Sequence, residues 1–156
     1  TAYHAFLEKC DFEKDAESEI NRLIDGHLLS DECISLLRRE KLKRILKMDI
    51  FKTIKGMTLY REQPFTAYMP AKLFDDNYSG DGEVLVQGII DLLCLNGEEA
   101  TIIDYKFTSE RSEEVLINRY KKQLELYAYA VGHVLKKKVV KCFLVNILAN
   151  KVIEVI

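Results

Sequence analysis

The chain has 156 residues, 48% of them hydrophobic and 31% charged, with a formal net charge of −2 at pH 7. That apolar content is enough for one domain with its own core, and the near-neutral total excludes a global basic footprint for nucleic acid. No apolar run approaches the roughly 18–20 residues that span a bilayer. The opening TAYHAFLEKC carries no basic start and no cleavage-site pattern, so no signal peptide is expected. The missing initiator Met, and an end inside the apolar alternation KVIEVI, lead us to expect a piece of a longer protein.

In chain order, Ala2 to Lys9 is predicted as a short helix. Ser30 is a plausible N-cap for a second helix, with Ile34, Leu37, Leu42, Ile45 and Leu46 on its buried side and a break near Lys41. Gly56 closes the helical half. TLYREQPFTAYMP then alternates in part; Pro64 demotes it to an edge strand or a bulged one. FDDNYSGDGE is turn chemistry. Val84 to Leu95 is predicted as a strand, Asn96-Gly97 as a hairpin turn, and Ala100 to Phe107 as the partner strand. Ser112 to Leu135 has a helical period through Leu124, Tyr127, Ala128, Val131 and Leu135. Strands over Val139 to Leu148 and Lys151 to Ile156 complete a mixed sheet with helices packed on it.

Cys10, Cys33, Cys94 and Cys142 form no CxxC pair, so zinc-ribbon and iron–sulfur spacings are absent. Cys33, Cys94 and Cys142 sit among apolar neighbours and read as buried small hydrophobes. An even number leaves a disulfide open, but a reducing, cytoplasmic setting is expected. From Arg119 to Lys141 the bases Arg119, Lys121, Lys122, Lys136, Lys137, Lys138 and Lys141 face Glu125 alone. A solvated helix face would explain such a run.

Asp91 and Asp104 each fall inside an apolar strand-like run, and Lys106 follows the second by two. A charge there costs free energy unless it is paired, hydrogen-bonded or holding a metal. Alternation puts Asp104 and Lys106 on one face. Counting outward from Asn96-Gly97, Asp91 and Asp104 are offset by about two residues, within diagonal reach. Paired carboxylates repel, and a divalent cation such as Mg²⁺ or Mn²⁺ removes that conflict. The alternative is a surface strand face with an intrastrand ion pair, worth little; spacing alone leaves both open.

The combination GIID (88–91), IIDYK (102–106) and YKKQLELY (120–127) resembles the RecB-type branch of the PD-(D/E)XK nucleases. Within it, the likeness is greatest to the C-terminal nuclease domains of AddA-type helicase–nucleases. TAYHAFLE matches the family's histidine-bearing helix and REQPF (61–65) its E-x-P-F strand. The resemblance covers nearly the whole chain and implies a single nuclease domain over 1–156, excised from the C-terminal end of a longer helicase–nuclease, with a restriction-endonuclease-like α/β fold.

Residue by residue, it implies that His4, Asp91 and Asp104 hold Mg²⁺ or Mn²⁺, with the carbonyl of Tyr105 as a further ligand. Lys106 would serve the scissile phosphate or the attacking water. Gln123 and Tyr127 match the Q-x-x-x-Y element and would help hold the lysine and the nucleic acid; their i, i+4 spacing shares one helix face. Glu62 is expected to be structural or to support the ligands. Arg119, Lys121 and Lys122 become candidate contacts to the DNA backbone.

The implied activity is metal-dependent hydrolysis of DNA, favouring single-stranded ends, in double-strand break repair and recombination in the bacterial cytoplasm. Implied partners are the parent chain's helicase domain and an AddB-like partner, with no membrane. The cysteine spacing departs from cluster-bearing sister proteins, so no iron–sulfur cluster is expected. No G-x-x-x-x-G-K-[ST] occurs, so ATP would act only through a helicase portion outside this chain. The competing expectation is a catalytically silent nuclease-like module that binds DNA or serves as a scaffold.

Overall fold

A computed structural model describes residues 1–156. Five short helices precede the sheet: α1 (Ala2–Lys9), α2 (Ala16–Ile20), α3 (Asp31–Leu36), α4 (Arg39–Leu46) and α5 (Asp49–Thr53). Then come β1 (Thr58–Pro70), β2 (Glu83–Asn96), β3 (Glu99–Lys106), α6 (Glu113–Ala130), β4 (Lys138–Asn146) and β5 (Lys151–Glu154). A π-helical turn over Val131–Leu135 extends α6, so the predicted long helix and strand order hold.

Local chemistry explains the starts. Ser30 and Ser112 accept from the backbone amides of Cys33 and Val115, capping α3 and α6. Asp15 caps α2 through the amides of Glu17 and Ser18, a helix the periodicity does not predict. The second predicted helix is instead two: Leu37 and Arg38 are extended and divide α3 from α4, upstream of the break expected near Lys41. The division lets α4 turn Leu42 and Ile45 fully inward while α3 buries no residue completely.

The sheet order is β1-β2-β3-β4-β5. All neighbours are antiparallel except β3 and β4, which run parallel and are joined through α6. Pro64 lies in β1, at the sheet's edge, as expected. One core, with Phe6, Leu7, Leu23, Leu42 and Ile45, packs the N-terminal helices on Leu92, Cys94, Ile103, Tyr105 and Val145. The other places Leu116, Leu124 and Tyr127 of α6 on Leu93, Ala100, Ile102, Cys142 and Leu144. Each fully buried Leu or Ile contributes about 1.5–3 kcal/mol. The four cysteines are free; Cys10, Cys94 and Cys142 are buried, whereas Cys33, expected to be buried, is only half-buried.

Two irregularities shape the middle of the sheet. The hairpin closes with Asn96 opposite Glu99, so Gly97 and Glu98 form the turn and Gly97 supplies its positive φ of 62°. This corrects the predicted Asn96-Gly97 turn and removes the predicted two-residue offset: extending the register one step beyond its last pair, Leu92↔Ile103, matches Asp91 with Asp104. Pairing between β2 and β3 stops at that step. On the other side of β2, Arg61↔Leu92 and Gln63↔Ile90 pair, but Glu62 and Asp91 between them do not. Glu62 has φ 48°, a left-handed conformation in mid-strand.

Both strands change face there. Leu92 and Cys94 join the core under the N-terminal helices, whereas Ile90, also even-numbered, joins the core under α6. Leu59 packs on the first core and Phe65 on the second. β3 keeps strict alternation, so Asp104 and Lys106 follow Ile102 onto the α6 side.

Candidate active site

Where β2 parts from β3, side chains replace the ladder. The Asp91 carboxylate accepts the Tyr105 backbone N–H at 2.7 Å. His4 Nε2 donates to the Tyr105 carbonyl at 2.9 Å and lies 3.6 Å from the same Asp91 oxygen. The histidine is held from behind: Thr1 caps α1 by accepting the His4 N–H, and its hydroxyl meets His4 Nδ1 at 2.7 Å. Because the hydrogen bond to Asp91 favours the imidazolium more than burial opposes it, His4 titrates above its ordinary value.

Asp104 is 2% exposed. Burial pushes its carboxyl up to about 6, although Lys106 pulls the other way. Lys106 Nζ sits 2.8 Å from Asp104 Oδ2, a close ion pair inside the protein. Lys106 donates to Gln123 Oε1 at 3.0 Å, and Gln123 Nε2 donates to the Tyr127 hydroxyl at 2.9 Å. Tyr127 is buried, and burial followed by the Asp104 charge raises its phenol to about 12. Glu62 is half-buried; desolvation, then Asp91 and Glu8, raise its carboxyl, opposed by His4.

The structure thus brings together His4, Asp91, Asp104, Tyr105, Lys106, Gln123 and Tyr127, with Glu62 facing Asp91 across the β1–β2 seam. Arg119 places its guanidinium 5.9 Å from the Tyr120 ring, while Lys121 and Lys122 are exposed on α6. The rest of the basic run lies elsewhere. Lys138 is opposite Glu99 and Lys137 pairs with Glu98, five residues along β3 from Asp104, roughly 16 Å away. A cavity of about 620 Å³ is lined by Ile54, Met57, Cys94, Lys141 and Phe143 among others and contains none of His4, Asp91, Asp104, Lys106, Gln123 and Tyr127.

Sequence reasoning passed over three participants. The Tyr120 ring lies 4.5 Å from Lys106 Nζ, a cation–π contact whose signal was its place one turn before Gln123. Thr1, which caps α1 and meets His4 Nδ1, was not singled out. Gly88 is required by close approach: a Cβ there would lie 2.7 Å from the Phe65 ring and 3.3 Å from that of Tyr127.

No three His, Cys, Asp or Glu side chains stand at metal-holding distances. The donor set nevertheless fits a hard cation. His4 Nε2, Asp91 Oδ2 and the Tyr105 carbonyl already converge, and Asp104 adds a buried carboxylate neighboured by Lys106, Asp91 and His4. Oxygen donors with one imidazole suit Mg²⁺ or Mn²⁺.

An α/β sheet that splays beside two aspartates, with a lysine on the next inward position, gathers the residue types that metal-assisted hydrolysis uses. In accord with it, residues 1–154 match the family model of the PD-(D/E)XK nuclease superfamily, and the chain belongs to that family. Among curated proteins, it is similar to the AddA-type component of the ATP-dependent helicase/nuclease of Clostridium perfringens strain 13, 26% identical over 97% of this chain and 13% of that protein. The corresponding protein of Pediococcus pentosaceus is 27% identical over 99% of this chain and 14% of its own length. That of Ligilactobacillus salivarius is 33% identical over 88% and 12%. The chain therefore spans only about an eighth of these relatives. No helix is long and apolar enough to cross a membrane.

Proposed function

We propose that this chain is a nuclease domain that hydrolyses DNA phosphodiester bonds with Mg²⁺ or Mn²⁺, acting on single-stranded ends. The observation that carries the reading is the opposition of Asp91 and buried Asp104 at the strand splay, with Lys106 beside them. When bound, the cation would polarise a non-bridging phosphate oxygen and acidify a water. His4, Asp91, Asp104 and the Tyr105 carbonyl would hold it. Lys106 is positioned to offset the charge that grows on the phosphate; Gln123 holds its ammonium in place and Tyr127 holds Gln123.

The relatives' names support a parent helicase–nuclease, with this chain as its single nuclease domain. It would be bacterial and cytoplasmic, work with an AddB-like partner in break repair, and depend on ATP only through the helicase portion. Arg119, Lys121 and Lys122 would meet the DNA backbone.

The test is cleavage of single-stranded DNA by the 156-residue chain in Mg²⁺ or Mn²⁺, with EDTA as control. Asp104→Ala is expected to abolish cutting while the circular dichroism spectrum is kept. Lys106→Ala should lower the rate roughly 10²–10³-fold. Cutting that survives chelation would overturn the cation's role.

A further inference from the structure

We propose that Phe107 is a stacking platform for an unpaired nucleobase beside the cleavage site, and that Lys41, Arg44 and Arg111 take the adjoining phosphates. The proposal deepens the nuclease reading and rests on it for the location of the scissile bond.

Phe107 follows Lys106 directly and is 43% exposed although aromatic. Its inner face is not free: the ring stacks on Tyr3 at 5.6 Å between centroids and 16° between planes. Tyr3 is 5% exposed, and its hydroxyl accepts the Arg38 backbone N–H at 3.2 Å. Phe107 is therefore a ring backed by a second ring that is itself pinned, and yet it stays 43% exposed. A surface so pre-ordered loses little side-chain freedom when a planar group settles on it. Nucleobases are planar, and base-on-aromatic stacking is how unpaired strands are held without sequence readout.

The surroundings supply the second requirement, positive charge along the strand's path. Arg38 stands at the N-cap position of α4, which carries Lys41 in its first turn and Arg44 in its last. Lys41 Nζ donates to the Leu148 carbonyl at 3.1 Å, two residues past Asn146, the register partner of Lys106. These cations thus stand at the same end of the sheet as the site. Arg111 arrives from the other direction, four residues beyond Phe107. Arg44 is three residues from Lys41 on α4, and Arg111 follows Glu110, whose carbonyl accepts from Asn146 Nδ2 at 3.0 Å. In keeping with that proximity, burial, then the repelling charges of Arg44 and Arg111, hold the Lys41 ammonium below its usual range. The chain's ion pairs engage Arg22, Arg39, Lys43, Lys52, Lys106, Lys137, Lys141 and Lys151 and leave Lys41, Arg44 and Arg111 without an acid. Polyanionic backbone would relieve that repulsion.

The experiment is fluorescence anisotropy of the 156-residue chain in EDTA, so that no strand is cut, with two labelled probes: an oligothymidylate and a deoxyribose-phosphate strand of equal length without bases. Phe107→Ala should weaken oligothymidylate binding roughly 5- to 100-fold, leave the abasic strand unaffected, and be rescued by Phe107→Trp. Lys41→Ala with Arg111→Ala should weaken both probes and shallow the salt dependence by about one to two phosphates. Equal binding by wild type and Phe107→Ala, or an equal loss on both probes, overturns the platform. Cleavage in Mg²⁺ separates the two readings. Binding that depends on Phe107 in a chain that never cuts DNA sinks the nuclease reading alone; cutting with Phe107-independent binding sinks the platform alone.

Discussion

Asp104 illustrates how one residue trades stability for chemistry. Its carboxyl titrates at about 6 in the folded chain because burial disfavours the charge, against 3.8 for the ordinary group. A raised value means that the folded state holds the proton more tightly. That contribution is complete below about pH 4 and is lost as pH rises through about 6. At pH 7 the cation-free protein therefore carries a burden of about 1–3 kcal/mol, allowing for the stranding of Lys106 when the carboxylate is removed. Asp104→Asn is expected to raise urea-unfolding stability at pH 7 by that amount and to flatten the dependence between about pH 4 and 6; an unchanged profile would contradict it. His4 has the same sign, with stability lost as pH rises through its raised value. His4 must also release its Nε2 proton before that nitrogen can bind a cation. Mn²⁺ titrations by calorimetry should accordingly weaken as pH falls. His4→Ala should weaken Mn²⁺ binding and lessen that dependence, the part due to Asp104 protonating at about 6 remaining, while sparing DNA binding.

At the scale of elements, the seam between β1 and β2 decides where the carboxylates point. Gly88→Ala would drive a methyl into the Phe65 and Tyr127 rings, and such overpacking costs about 1–3 kcal/mol. Displacing Tyr127 also releases Gln123 and then Lys106, so cleavage should fall by more than the lost stability explains; denaturant melts beside rate measurements separate the two. Glu62 holds a left-handed φ that costs a side-chain-bearing residue about 1–2 kcal/mol. Glu62→Gly is expected to gain about 1 kcal/mol in the cation-free chain, read from the same melts. These elements also show what could be read from residues alone. Apolar alternation placed β2 and β3 and made Asp104 and Lys106 neighbours, because side-chain direction in a strand follows parity. The true opposition of Asp91 and Asp104 was hidden, since Asn-Gly is so strong a turn signal that it displaced the actual Gly97-Glu98 turn by one residue. A positive φ at a glutamate has no compositional mark, so the face change at Glu62 was invisible. α2 escaped because its cap, Asp15, opens a stretch of acids with few apolar positions.

For the molecule as a whole, the order of helices, hairpin, long helix and final strands was legible, since each segment's period differs from the next. The meeting of α1 with the end of β3 was not, because only the resemblance linked His4 to strand residues so far along the chain. An ion that ties those regions together should stabilise the fold by mass action, about 2.7 kcal/mol at a concentration one hundred times its Kd. Thermal melts are expected to rise with Mn²⁺ in the wild type and to stay flat in Asp104→Ala.

The hydrogen bond from His4 to the Tyr105 carbonyl has a consequence for the life of the chain. On the proposed function, the first helix must dock against the third strand before His4 can join the residues that would hold the cation. A copy clipped ahead of that helix, or melted there, would lack its imidazole corner, so competence to cut DNA would depend on a contact between residues far apart in the chain.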